Sequence, residues 1–482
     1  MPVQEQPAAP AAPTVGPQPP ENPFAEWAPS GEDKWGVQHA GHLLRRAAFG
    51  AKPEQLQTAQ QQGMAPTVDG LFAFDPKSDV GGLNAFLEQA KGIYDIRRGA
   101  HLVAEWWYHR MVQTPFPLQE RLALFWHDHF ATSAAKVGRS DWMHDQIELF
   151  RTDGLGSFRD LVVKVGRQPA MLRWLDGHDS HKSNPNENYG REVMELFCLG
   201  VGHYEEADIG EVSRAFTGWQ ISNRDGAFRP DRFDEGEKTI FAGKPYATTG
   251  PMNDEAAVDA ILKHPAAAKF IAGRLLQCFV HPEPHPEHVD HYAGRLLENG
   301  WQIGPTLKEM LKSRLFYSEW AYRSRIKSPV ELAIGASFNM GSVPRADYLR
   351  RQCERMGQML LYPPNVAGWS GGEVWINANT VMVRFEFCRD LAQEGFNEFA
   401  SNRTVEFLNE RDLKTADKIV NAYGSLLLDG RVPYDVRGRL LDYMTRGQDN
   451  QPTEFNFDGN AVRHKVRGMV QLLASSPQYQ LA

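Results

Sequence analysis

Capped helices follow one another along most of this chain, and that punctuation is what most narrows its fold. Ser157 and Asp160 have capping-box spacing, in which a hydroxyl and a carboxylate three residues on each take a free backbone N–H. Asn184-Pro185 offers a cap followed by proline at the first helical position, and Gly200 suits the end of that helix. The next helical run covers Glu206 to Thr217 and stops at Gly218; others follow near 254–263, 266–280, 285–298, 305–316, 328–339 and 378–394. Two stretches break the pattern. Between Trp219 and Pro251, short runs such as Ala227-Phe228-Arg229 and Thr239-Ile240-Phe241 are separated by Gly and Asp, the mark of a small hairpin or irregular insertion. Tyr362-Pro363-Pro364-Asn365-Val366-Ala367-Gly368-Trp369 cannot be helical, because proline lacks the N–H and clashes with the preceding turn, and it reads as a long ordered loop. The expected fold is mainly α: a large, bundle-like multi-helix domain with a small irregular or hairpin insertion and one long Trp/Asn/Gly loop.

Residues 1–32 are rich in Pro, Ala and Gln and nearly devoid of large apolar side chains. They cannot bury enough surface to offset their ordering entropy, so a disordered lead-in is expected there. Residues 33–482 read as a single large helical domain, with a C-terminal helical subdomain from about 396 left open. The net charge of −8 and the absence of a basic stripe argue against a nucleic-acid partner. The longest apolar stretches, such as Ile271 to Val280, are interrupted by Arg274 and Gln277 and fall short of the ~20 residues of a membrane span. Cys198, Cys278, Cys353 and Cys388 form no Cys-x-x-Cys pair and read as buried thiols. The amino-terminal stretch lacks the apolar core of a signal peptide, which leaves localisation unassigned.

Four segments could carry chemistry. In Leu122 to Phe130, a helix would place Leu122, Phe125, Trp126 and His129 on one apolar face and turn His127 elsewhere, so the two histidines could share one ion only if the helix breaks there. That makes His129 a hydrogen-bonded core histidine and His127 a surface one, or else leaves one of them as a proton carrier or single ligand. In Asn184 to Phe197, Asn188, Arg191, Glu192 and Glu195 form a polar stripe at i, i+3, i+4 and i+7. Two carboxylates three apart can share a proton or an ion, but an ordinary solvated stripe with Arg191 paired to Glu195 has the same spacing. The following helix offers Asp208, Glu211 and Arg214, either a second set of acid–base groups or a charged outer face. Finally, Asn365, Trp369, Glu373, Trp375, Asn377 and Asn379 crowd indoles and amides into a loop, a composition that suits polar oligomers such as sugars.

Several blocks resemble a bacterial family called domain of unknown function 1800. They are Leu43 through Gly50, Phe125 through Phe130, Asn186 through Glu192 with Leu199-Gly200, Ala215 through Trp219, His264-Pro265, Tyr362 through Trp369, and Leu473 through Pro477, a match running from about His39 to the carboxyl terminus. The resemblance implies a bacterial source and a helical fold. In many relatives it also implies a secretion signal and a neighbouring gene for a sulfatase- or phosphatase-like protein. It implies no activity. Relatives often carry His where this chain has Phe197, and His-Asp where it has Phe233-Asp234, so an ion held by those histidines would lose two ligands here.

Two functional classes follow. One is a hydrolase, transferase or ligand-binding protein acting on a polar polymer such as a glycan, with Glu192, Glu195, His129 and Glu211 as acid, base or ligand. In that reading Asn188, Arg191, Trp219, Asn365, Trp369 and Trp375 contact the substrate. The other is a non-catalytic binding or assembly protein whose polar blocks are structural networks. No nucleotide or flavin motif is present, and a bound metal would be a weak, oxygen-ligated divalent ion. The first class requires Glu192 and Glu195 to line one cleft within reach of His129 or Glu211, walled by Trp126, Trp219 or the Trp369 loop.

Overall fold

The cap signals lie within a few residues of real helix ends in the computed structural model, which describes residues 17–31, 33–76, 95–393, 400–402, 404–447 and 451–482. Ser157 Oγ accepts the Asp160 amide at 3.2 Å and opens the helix Phe158–Arg167. Glu206–Ala215, Asp254–Leu262, Pro265–Phe279, Pro286–Glu298, Pro329–Asn339 and Ala378–Ala392 follow the expected order. Two boundaries differ for local reasons. Asn186, not Asn184, caps the helix Glu187–Glu192 by accepting the Asn188 amide at 2.8 Å, while Asn184 is held in a bridge with His181. The helix expected to reach 316 stops at Lys312, because Ser313 Oγ bonds back to the Met310 carbonyl and takes the Phe316 amide, competing with the helical ladder.

The insertion after Gly218 is two antiparallel hairpins. Strand β1 (Trp219–Ser222) pairs with β2 (Asp225–Phe228), and β3 (Glu237–Ile240) pairs with β4 (Thr248–Pro251). A third pair joins β5 (Ser342–Pro344) to β6 (Ala400–Asn402), and among the described residues everything else regular is helical. The architecture is mainly α.

One contiguous set of buried apolar side chains runs from Trp27 to Tyr479. Near its middle Trp126 stacks on Phe130 at 5.6 Å and on Phe158 at 5.9 Å. The first helix, Val37–Ala48, enters this core with both arginines of its Arg45-Arg46 pair buried. Arg45 pairs with Asp429 at 2.5 Å and Arg46 donates to the Ala321 carbonyl at 2.7 Å, so a residue of the last quarter of the chain neutralises one of the first. The lead-in needs correction at its carboxyl end. The Trp27 amide donates to the Lys312 carbonyl at 2.8 Å, the Leu315 amide to Pro23, and the Trp27 indole is buried. Phe24 and Trp27 are the few large side chains of that stretch, and they suffice to dock it; residues 1–16 lie outside the described residues.

Candidate functional site

The helix Pro117–His129 is buried along almost its whole length, and its last three residues each hold a different piece of backbone. His127 Nε2 accepts the Leu361 amide at 3.1 Å, which puts the ring proton on Nδ1. Asp128 Oδ1 accepts the Trp369 amide at 2.8 Å, and its Oδ2 accepts from Arg274 at 3.2 Å. His129 Nε2 donates to the Phe197 carbonyl at 3.0 Å. Burial pushes both histidines down to about 3, so both are neutral near pH 7. His127 was expected on the surface, yet it is fully buried, because the loop after Met356 folds over it and brings the Trp369 ring to 5.5 Å. Periodicity turned His127 off the apolar face correctly but could not show a second layer covering the other face.

The loop lies close against this helix end. Gly368 has φ +80°, and a Cβ there would run into the Asp128 carboxylate and carbonyl, so only glycine allows the approach that lets Asp128 take the next amide. Burial raises the Asp128 pKa, with Arg274 pulling the other way.

Between loop and helix opens a cleft of about 690 Å³. Its walls carry Phe125 and Asp128 from the motif helix, Arg274 and Gln277 from Pro265–Phe279, and Trp369, Glu373 and Trp375 from the loop. Its floor holds a buried ion cluster. Glu331, at the start of Pro329–Asn339, pairs with Arg121 at 2.6 Å and with Arg325, and it accepts the Ser328 amide at 2.7 Å. Burial alone would raise the Glu331 pKa, but the two guanidiniums and the amide outweigh it and hold the pKa at about 2. Cys278, a free and half-buried thiol, also lines the cleft.

The carboxylates expected to share a cleft with His129 lie in separate networks. Glu192 and Glu195 are half-buried. The Glu192 pKa is raised by burial and by Glu195, and Tyr204 donates its hydroxyl to Glu195. Arg191 pairs with Glu206 of the next helix at 2.5 Å rather than with Glu195. From Val193 to Leu199 the chain is a π-helix, whose i→i+5 bonding breaks the 3.6-residue spacing on which the stripe was drawn. Asn188 belongs to the first turn, where its own amide is spent on the Asn186 cap. Glu211 pairs with Arg214 at 2.9 Å and accepts the Thr239 amide at 2.7 Å; Arg214 also holds Asp234 at 2.8 Å. That face of Glu206–Ala215 therefore anchors the β3 hairpin. Gly190 explains the neighbouring motif, since a Cβ there would meet Ser213 Oγ and lie 3.0 Å from the Ile209 carbonyl, so the two helices can cross closely only at glycine.

Trp126 is fully buried and donates to the Gly154 carbonyl at 2.9 Å. Trp219 lies under the Arg167 guanidinium at 4.8 Å and borders a void of about 10 Å³ with Asn186 and Tyr189, room for about one water and not for a sugar. Of the expected substrate contacts, Trp369 and Trp375 do line the large cleft; Asn365 is exposed and accepts the Ala367 amide at 2.8 Å within its own turn. Sequence reasoning missed Asp128, Arg274, Gln277, Arg121 and Glu331. Asp128 stood between two histidines in a quoted block, and Arg274 and Gln277 were the polar breaks in an apolar run; both were legible as anomalies, not as neighbours. Among the described residues, three ligand side chains close enough to share an ion gather neither at Glu192 nor in the cleft.

The model of a family described as a protein of unknown function, DUF1800, matches residues 42–481. No curated protein and no solved structure matches the chain.

Proposed function

The chain belongs to the DUF1800 family, and we propose that its cleft binds an uncharged, hydroxyl-rich polymer, an oligosaccharide chain, against the Trp369 loop. The observation that carries this reading is the pairing of charge inside the cleft. Arg274 bonds Asp128, Arg121 and Arg325 share Glu331, and with Glu283 and Glu373 the lining carries four carboxylates against three arginines, so no net positive charge is left there to hold a phosphate or sulfate. What remains for a ligand is a half-buried indole at Trp369, the Gln277 amide and the exposed Glu373 carboxylate. An apolar ring face with a few fixed polar groups suits the C–H and O–H faces of a sugar. Titration of the full chain with neutral oligosaccharides of increasing length, followed by tryptophan fluorescence and calorimetry, tests it. Trp369→Ala should weaken binding by about tenfold or more with little change in melting temperature. Inorganic phosphate binding more tightly than every neutral sugar would sink the reading.

Hydrolysis of that polymer is a second reading, favoured by one observation: Asp128 borders the cleft with a raised pKa, the direction a general acid needs. Asp128→Asn keeps the oxygen that accepts the Trp369 amide and removes the proton donor. Turnover lost with binding retained would support an enzyme. Turnover unchanged would leave Asp128 as the clasp of the loop.

A further inference from the structure

The segment His281-Pro282-Glu283-Pro284-His285-Pro286-Glu287-His288 runs from the end of one helix into the start of Pro286–Glu298. Pro282 and Glu283 form part of the cleft rim, and the residues after them turn away to a separate cluster. There, one ligand atom each from His285, Glu287 and His288 lies within 4.8 Å of the others, and among the described residues this is the one group of three such side chains able to share an ion.

His288 is what makes the cluster unusual. Its side chain has no exposure, yet neither Nδ1 nor Nε2 has a hydrogen-bond partner. The nearest carboxylate oxygen, Glu287 Oε1, is 3.6 Å from Nε2, beyond a hydrogen bond. The ring is packed between aromatic groups: His285 stacks on it at 5.1 Å with planes 2° apart, and Trp320 and Phe24 meet it edge-on at 5.1 Å and 5.9 Å. A neutral imidazole always carries one donor and one acceptor, and burying both unpaired is costly. An aromatic core position would be better filled by phenylalanine or leucine.

We propose that His285, Glu287 and His288 form a binding site for a divalent transition-metal ion of the zinc class. Two imidazoles and one carboxylate are the donor set of open zinc and non-haem iron sites. Donors in a tetrahedral zinc site stand about 3.3 Å apart, given bonds near 2.0 Å. Glu287 Oε1 already lies 3.6 Å from His288 Nε2, and the wider spacings, all within 4.8 Å, would close by rotamer changes of the partly exposed His285 and the exposed Glu287. The helix amino terminus opposes a cation there, and the Glu287 carboxylate answers that charge. All three ligands come from four consecutive positions at one helix start, and three protein ligands leave an open position for water on the ion. This is an exchangeable site and not a staple between elements.

The test uses the full chain and zinc chloride alone. After chelator treatment and its removal, calorimetry and elemental analysis should show one zinc ion per chain at saturation. Glu287→Gln and His285→Asn, both away from the buried core, should each weaken binding by about tenfold or more. His281→Gln, which removes a neighbouring imidazole outside the cluster, should leave binding unchanged. His288→Leu should abolish the ion while the protein stays folded by circular dichroism. Absence of a zinc-binding event, binding equal to wild type in the His285 and Glu287 variants, or loss in His281→Gln alone would each overturn the proposal.

Discussion

Two short motifs in this protein set histidines beside an acid, and they are used in opposite ways. In His127-Asp128-His129 each side chain takes a backbone group: the Leu361 amide, the Trp369 amide and the Phe197 carbonyl. In His285-Pro286-Glu287-His288, the buried ring holds no hydrogen bond at either nitrogen. Composition cannot separate the two. What separates them is whether a loop lies close enough to be held. At the first motif the Trp369 loop comes down at Gly368 and its amides need acceptors; at the second the neighbours are aromatic rings that offer none. A histidine-acid motif is thus better weighed by the partners it lacks than by the residues it contains.

The largest effect expected from this contrast is in acid. His127 and His129 have folded pKa values near 3 against an ordinary 6.5, so the unfolded chain binds more protons below neutrality. Their contribution is fully present above pH 6.5 and is lost as pH falls from there toward 3. Each shift is worth roughly 5 kcal/mol as an upper bound. Urea midpoints measured from pH 7 down to 4 should fall steadily, and a flat profile would show that the two rings are not held neutral in the core.

Paired leucine substitutions give a smaller and sharper test. His127→Leu leaves the Leu361 amide buried without an acceptor and should cost about 1–3 kcal/mol. His288→Leu, in metal-free protein, removes two unpaired polar atoms and should be neutral within about 1 kcal/mol, or stabilising. Equal losses in denaturant titrations would erase the distinction between the motifs. Smaller still is Gly368→Ala, which forces a Cβ toward Asp128 at positive φ and should cost about 1–2 kcal/mol. Because it displaces Trp369, it should also weaken saccharide binding; unchanged affinity would detach the loop's docking from the function of the cleft.

The fold was legible where it depended on local chemistry. Ser157 accepts an amide at a real helix start, and the mainly α reading with its hairpin insertion and Trp loop follows from such signals. The candidate site was half legible. Trp369 and Trp375 were singled out by composition and line the large cleft, while Glu192, Glu195 and Glu211 were expected to converge on His129 and instead Glu195 bonds Tyr204, Glu211 bonds Arg214 and His129 bonds the Phe197 carbonyl. The π-helix over Val193–Leu199 was invisible, since no side-chain pattern marks a change from i→i+4 to i→i+5 bonding.

What the sequence alone determined is therefore the set of elements and their ends, because caps, prolines and glycines act on backbone within a turn of themselves. Only the tertiary structure decided which polar groups are spent and which are free. Asp128 became the clasp of a loop 241 residues away, Asp429 the partner of Arg45 384 residues away, and His288 a buried ring with nothing to bond. Hydrogen bonds and ion pairs act over about 3 Å, and separation along the chain says nothing about which groups folding will bring that close.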